Sequence, residues 1–321
     1  MFAPSLSPAR GLLAGFLLVA TSTGLAATPP WDFKDGDRVV FVGDTFIERE
    51  QRYGYVETAL TLANADRNVT FRNLGWSADT VRGLSRAGFE LEPPEAGFRE
   101  LVKHVTDSKP TVLVVGYGMA ESFDGEAGLP RFVEGYNAFL DAVAPLKARL
   151  VLLSPQAHAA MPAPLPDPTA HNRDLKLYAD AIRSIAEERG AAFVDVLTPM
   201  ARRYESMDPA GRATLTDDGI HPNGAGYRAL ATALLPGADL DAEEVEALRR
   251  TIVAKNELFF HRWRPQNITY LFGFRKHEQG RNAVEIPQFD PLVDAKEAEI
   301  DALREAIAHE KEMNRKTEAA R

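Results

Sequence analysis

Short apolar, β-branched runs alternate along the chain with longer amphipathic stretches, and that alternation sets the expected fold. Runs at residues 38–42, 68–72, 111–115, 149–153 and 192–196 read as strands, as in Arg38-Val39-Val40-Phe41-Val42 and Thr111-Val112-Leu113-Val114-Val115. Strands apolar on both faces are buried on both, which calls for a parallel sheet covered by helices on either side. Helix-like stretches lie between the runs, near 49–65, 94–107, 130–147, 172–189 and 224–234. The expectation is a three-layer α/β/α domain around a five-stranded parallel sheet. Ligands on such a sheet bind at the carboxyl ends of the strands, so chemistry is sought in the turns that follow the runs.

The two ends of the chain break this pattern. Arg10 precedes an apolar run, Gly11 to Ala20, with small residues continuing through Ala27. A basic start, a short apolar stretch and a small-residue region mark residues 1–26 as a secretory signal peptide, since the run is short for a bilayer span. Export to the periplasm or the exterior is expected, with no stable membrane insertion after cleavage. The main domain is placed at 30–237 and a mainly helical extension at 238–321. Within that extension 241–260 reads as one helix, and 255–282 is aromatic and basic with a net charge of +4. Its aromatics either bury against the main domain or, with Trp263, Tyr270 and Arg264, line the cleft to stack on a sugar or hold an anion. Residues 293–320 form a charged helix with a thin seam of Ile300, Leu303 and Ile307, which suits pairing with a second helix in a homo-oligomer.

Composition narrows the function. The chain has no cysteine, so an exported form has neither disulfides nor a thiolate metal site. The formal charge of the whole chain is -9, and removing residues 1–26 takes away one arginine and no acid. A chain this acidic is a poor nucleic-acid binder. His104, His171, His261, His277 and His309 show no metal-ligand spacing, and neither metal nor cofactor is expected.

The most informative turn reads Thr216-Asp217-Asp218-Gly219-Ile220-His221-Pro222-Asn223. Histidine is the side chain suited to take a proton at neutral pH, and a carboxylate three residues earlier can hold it in one tautomer. The competing reading is a helix N-cap loop ahead of residue 225. Three further turns follow strand runs: Gly43-Asp44-Thr45, Asn73-Leu74-Gly75-Trp76-Ser77-Ala78-Asp79-Thr80, and Gly116-Tyr117-Gly118-Met119-Ala120-Glu121-Ser122. The first puts a hydroxyl beside a helix start, where backbone N–H groups can bind an oxyanion.

Taken in order, the four turns resemble the blocks of the SGNH (GDSL-type) esterase/lipase family over roughly residues 37–235. The resemblance implies a flavodoxin-like sheet order and hydrolysis of carboxylic esters through an acyl-enzyme, with His221 as general base and Asp218 as its orienting partner. It implies Thr45 as nucleophile, Thr45 and Gly75 as oxyanion-hole donors, and Asp44, Asn73, Gly118 and Ala120 as substrate-contacting positions. Among exported bacterial members, acetyl groups on polysaccharide are the first substrate class to test, alongside small-molecule esters.

Two positions depart from the family pattern. Thr45 stands where the family has Ser, and Ala120 where it has Asn. A threonine hydroxyl is a known nucleophile when paired with a base, although its methyl restricts χ1 and crowds the acyl carbon. One lost oxyanion donor costs about 100- to 1000-fold in turnover, unless Asn73 or Ser122 substitutes. Three outcomes follow: a working Thr-His-Asp esterase, a slow or specialised hydrolase, or an inactive binding module of the cell envelope. Ser77 as nucleophile reads better as a turn cap. His158, in the turn after the fourth run, is either a substrate contact or a surface loop residue. Glu48 and Glu50 complement a helix start.

Overall fold

All five runs form strands: β1 (Arg38–Gly43), β2 (Thr70–Asn73), β3 (Val112–Gly116), β4 (Arg149–Leu153) and β5 (Ala192–Val194). They pair in parallel in the order β2-β1-β3-β4-β5, the flavodoxin-like arrangement. The computed structural model describes residues 30–87, 95–278 and 282–319. The expected signal peptide at 1–26 lies outside them.

Alternation along the strands feeds two cores. Val39, Phe41, Val112, Val114 and Val151 enter one face, and Val40, Val42, Leu113, Val115 and Leu152 the other. The first face is covered by α1 (Thr45–Tyr53), α2 (Tyr55–Ala63), α6 (Leu197–Glu205) and α8 (Gly224–Leu234). The second packs against α3 (Glu95–Ser108), α4 (Gly125–Val143) and α5 (Thr169–Arg189). A short α7 (Pro209–Arg212) lies between α6 and α8.

The first helix begins at Thr45 rather than near residue 49. The Asp44 carboxylate accepts the Phe46 N–H at 2.9 Å and so caps it. Gly54, at φ +68°, then splits the expected 49–65 stretch into α1 and α2.

The C-terminal extension packs on the first core. Leu248 and Ile252 of α9 (Glu243–Trp263) join the same cluster as Phe46 and Leu60. Lys255 is fully buried, pairs with Glu57 of α2 and donates to the Phe71 carbonyl of β2 at 3.0 Å. A short α10 (Ile268–Leu271) leads to α11 (Phe289–Ala319), which runs along α9 and is tied to it by Arg262–Asp290 at 2.8 Å. Ile300 and Ile307 of α11 are buried in the chain's own core, with Leu303 packed against it. The seam that pointed to a homo-oligomer is therefore occupied within the molecule. No helix among the described residues is long and apolar enough to cross a membrane.

Candidate active site

Residue 223, not 218, caps the helix that follows the last turn. Asn223 accepts the N–H groups of Ala225 and Gly226, which releases Asp218 from a capping role. Asp218 Oδ2 lies 2.6 Å from His221 Nδ1, while Oδ1 accepts the N–H groups of Ile220 and His221 at 3.1 and 2.9 Å. Burial pushes the Asp218 carboxyl up, but the His221 imidazole and these N–H groups outweigh it and hold the acid below its usual range. With Nδ1–H given to Asp218, Nε2 is the basic nitrogen. It makes no hydrogen bond to the described residues.

Two neighbours fix this turn. The loop after β4 binds it through Gln156 Nε2 to the Ile220 carbonyl at 3.0 Å and the Ala159 N–H to the Gly219 carbonyl at 2.8 Å. Gly219 sits at φ +97° with an added Cβ only 2.7 Å from the Ala159 oxygen, so a side chain does not fit. Helix α1 is the second anchor. Arg49 pairs with Asp217, and the Tyr227 hydroxyl donates to the Phe46 carbonyl at 2.6 Å. The base and Thr45 are thus tethered to the same helix.

Thr45 is the first residue of α1 and is partly exposed. Its hydroxyl oxygen accepts the Ala78 N–H at 2.8 Å and makes no hydrogen bond to His221. Ala78 stands at φ +55°, in the left-handed region that L residues rarely adopt. The backbone donor facing the candidate nucleophile is therefore Ala78, a residue the sequence reading passed over. Its signal was faint: a small residue in an Asp-containing turn after a strand.

Gly75 and Asn73, expected to face substrate, turn inward. The Gly75 N–H donates to Asn73 Oδ1 at 2.8 Å, and Asn73 Nδ2 donates to the Ile47 carbonyl at 2.7 Å. The glycine is there for space. An added Cβ would lie 2.2 Å from the Glu48 nitrogen, so this backbone passes directly against α1. The Gly75 amide is spent on Asn73, which leaves Ala78 as the residue of this turn whose amide meets Thr45.

The third turn gives no replacement side chain. Ala120 precedes the 3₁₀ turn Glu121–Asp124 and carries no polar group. Ser122 is buried, donates its hydroxyl to the Met119 carbonyl at 2.8 Å and meets His171. Gly118, at φ +121°, donates its N–H to Glu121 Oε2 at 3.1 Å, while Val81 donates to Oε1. Burial pushes the Glu121 carboxyl up to about 7 and the capping Asp44 carboxyl up to about 8; the Asp79 charge raises both, and the Glu121 charge adds to the rise at Asp44.

Other expected residues sort as follows. Ser77 donates its hydroxyl to Glu48. His158 lies against Gly219 and shares a 2.9 Å nitrogen contact with His171. Trp263 and Arg264 do reach the second turn, where Arg264 stacks 3.5 Å from the Trp76 ring centroid. Tyr270 is instead covered by Arg275.

The model of the GDSL-like lipase/acylhydrolase family matches residues 41–229, more than half of the chain. The chain belongs to that family. As a GDSL-like acylhydrolase it falls among ester-hydrolysing enzymes. Among solved structures it is similar to the acetylxylan esterase Axe2 of Geobacillus stearothermophilus, at 22% identity over 63% of this chain and 94% of that one, with a TM-score of 0.48. A gut microbial diltiazem-metabolizing enzyme aligns at 19% identity over 66% of this chain and 48% of that one, with a TM-score of 0.49. No curated protein matches the sequence.

Proposed function

We propose that this GDSL-like protein hydrolyses carboxylic esters through an acyl-enzyme on Thr45. The observation that carries the reading is the 2.6 Å contact between Asp218 and His221 Nδ1, made by an aspartate that no longer caps a helix. In the proposed sequence the Thr45 hydroxyl attacks the acyl carbon and its proton passes to His221 Nε2. Asp218 stabilises the imidazolium, and the N–H groups of Ala78 and Thr45 stabilise the negative oxygen. Collapse of the tetrahedral intermediate expels the alcohol, which takes the proton from His221. Water then attacks the acyl-threonine by the same route, releasing the acid and restoring the hydroxyl.

The substrate class proposed is acetylated carbohydrate, met outside the cytoplasm after export. The test compares wild type with His221→Ala on aryl acetates and on acetylated xylan. Loss of about 1000-fold or more in the variant supports the reading. Equal rates in the two proteins overturn it.

A second reading draws on the methyl of Thr45 and the absent donor at Ala120: a weak or inactive module that binds glycan in the same cleft. Thr45→Ser with Ala120→Asn separates the two. A gain in turnover marks a weakened hydrolase, whereas glycan binding with no turnover in either protein marks a binding module.

A further inference from the structure

We propose that Arg264, delivered by the end of α9, is a positioning residue that sets the Ala78 amide on the Thr45 hydroxyl. The inference rests on the hydrolase reading for its kinetic readout, and on the geometry alone for its second.

The links are short and continuous. Arg264 Nη1 donates to Glu48 Oε1 at 2.8 Å. Glu48 sits one turn after Thr45 on α1, and its other oxygen accepts the Ser77 hydroxyl. Ser77 directly precedes Ala78, whose N–H reaches Thr45 Oγ1 at 2.8 Å. The Arg264 guanidinium also covers the ring of Trp76, the residue before Ser77. One side chain of the C-terminal extension therefore grips both sides of the candidate nucleophile: the helix that carries the hydroxyl and the turn that carries the donor.

That grip has work to do. An L residue in the left-handed region costs about 1–2 kcal/mol, so neighbours must impose the Ala78 conformation. Ser77 and Ala78 are exposed and receive no packing from the solvent side. On the protein side, Ser85 Oγ holds the Ala78 carbonyl at 2.7 Å, and Glu48 holds the Ser77 side chain. Arg264 keeps the Glu48 carboxylate aimed at that hydroxyl and supplies its counter-charge, with only about a fifth of its own side chain exposed.

The experiment is Arg264→Ala in the full-length protein, read by steady-state kinetics on an aryl acetate and by amide hydrogen exchange over residues 74–80. The expected result is a kcat lower by roughly 10- to 100-fold with KM within about twofold, because a donor displaced by about 1 Å acts on the transition state rather than on substrate binding. The 74–80 peptide exchanges faster while that containing 218–221 is unchanged. Arg264→Lys restores part of kcat by renewing the charge pair with Glu48. Ser77→Ala reproduces the loss, and the double variant is no worse than the poorer single one, since both act along one line. A change in KM alone, or additive losses in the double variant, overturns the proposal by making Arg264 a substrate contact or an independent prop. If Arg264→Ala fails to fold, Ser77→Ala with unchanged kcat and unchanged exchange overturns it. If wild type hydrolyses no ester, the exchange readout decides by itself, so failure of the hydrolase reading stays separate from failure of this one.

Discussion

Replacing Arg86 with methionine tests how the second turn is held from below. Arg86 and Asp79 are both fully buried and meet at 2.6 Å, under the residue whose amide faces Thr45. Arg86 also donates to the Leu74 carbonyl at 2.9 Å, and Tyr117 donates its hydroxyl to Asp79 Oδ2 at 3.0 Å. In Arg86→Met the aspartate keeps the tyrosine but loses its counter-charge. Breaking a buried pair from one side costs about 3–5 kcal/mol, and the abandoned Leu74 carbonyl adds about 1 kcal/mol. For a chain of this size each kcal/mol lowers Tm by about 2–4 °C, so a fall of roughly 10–20 °C is expected. Denaturant unfolding followed by tryptophan fluorescence measures the loss at constant slope. Adding Asp79→Asn removes the stranded charge but keeps a partner for Tyr117, and should return about 2 kcal/mol or more. A single variant within about 1 kcal/mol of wild type, or a double variant no better than the single, refutes the argument.

Two further outcomes are expected. Asp44 and Glu121 titrate above their ordinary values, near 8 and 7, so their protonated forms are favoured in the folded state. Their contribution is fully present below about pH 4 and is lost as pH rises through 7 to 8, with Glu121 alone on the order of 3 kcal/mol. Denaturation midpoints measured from pH 4.5 to 8 should fall, and Asp44→Asn should flatten the slope; an unchanged slope would contradict the assignment. Gly75→Ala places a methyl within 2.2 Å of the α1 backbone, so a well-folded variant with wild-type Tm would show that the turn can move off the helix.

What the sequence made legible followed from distance along the chain. The strands were readable because each carries its own apolar run, with ends that differ from it by one or two residues, as at β2 and β5. Asp218 and His221 were readable because three residues suffice to make their contact. Asn73 was misread because a polar side chain after a strand looks available, while its amide in fact bridges the Ile47 carbonyl and the Gly75 N–H. Ala78 was invisible because its role lies in a backbone angle that its residue type does not announce. Arg264 was noticed as a candidate for the cleft, but its link to Glu48 joins two distant segments that no local pattern connects. The Ile300 and Ile307 seam pointed correctly to a packed helix face and wrongly to another copy as its partner.

The buried amine of Lys255 has one more consequence. β2 closes one side of the sheet, and its outward carbonyl at Phe71 is met by the Lys255 ammonium, while α11 anchors Arg72 through Glu297. An open strand edge is a template on which foreign strands add and aggregates grow. Here the template is closed by a helix that arrives from the far end of the sequence. A chain trimmed after residue 237 would bare that edge together with the apolar surface under Leu248 and Ile252, and self-association would be its natural fate. Until α9 has been synthesised and docked, the nascent protein carries the same exposed edge, which makes the last quarter of the chain its guard against misassembly.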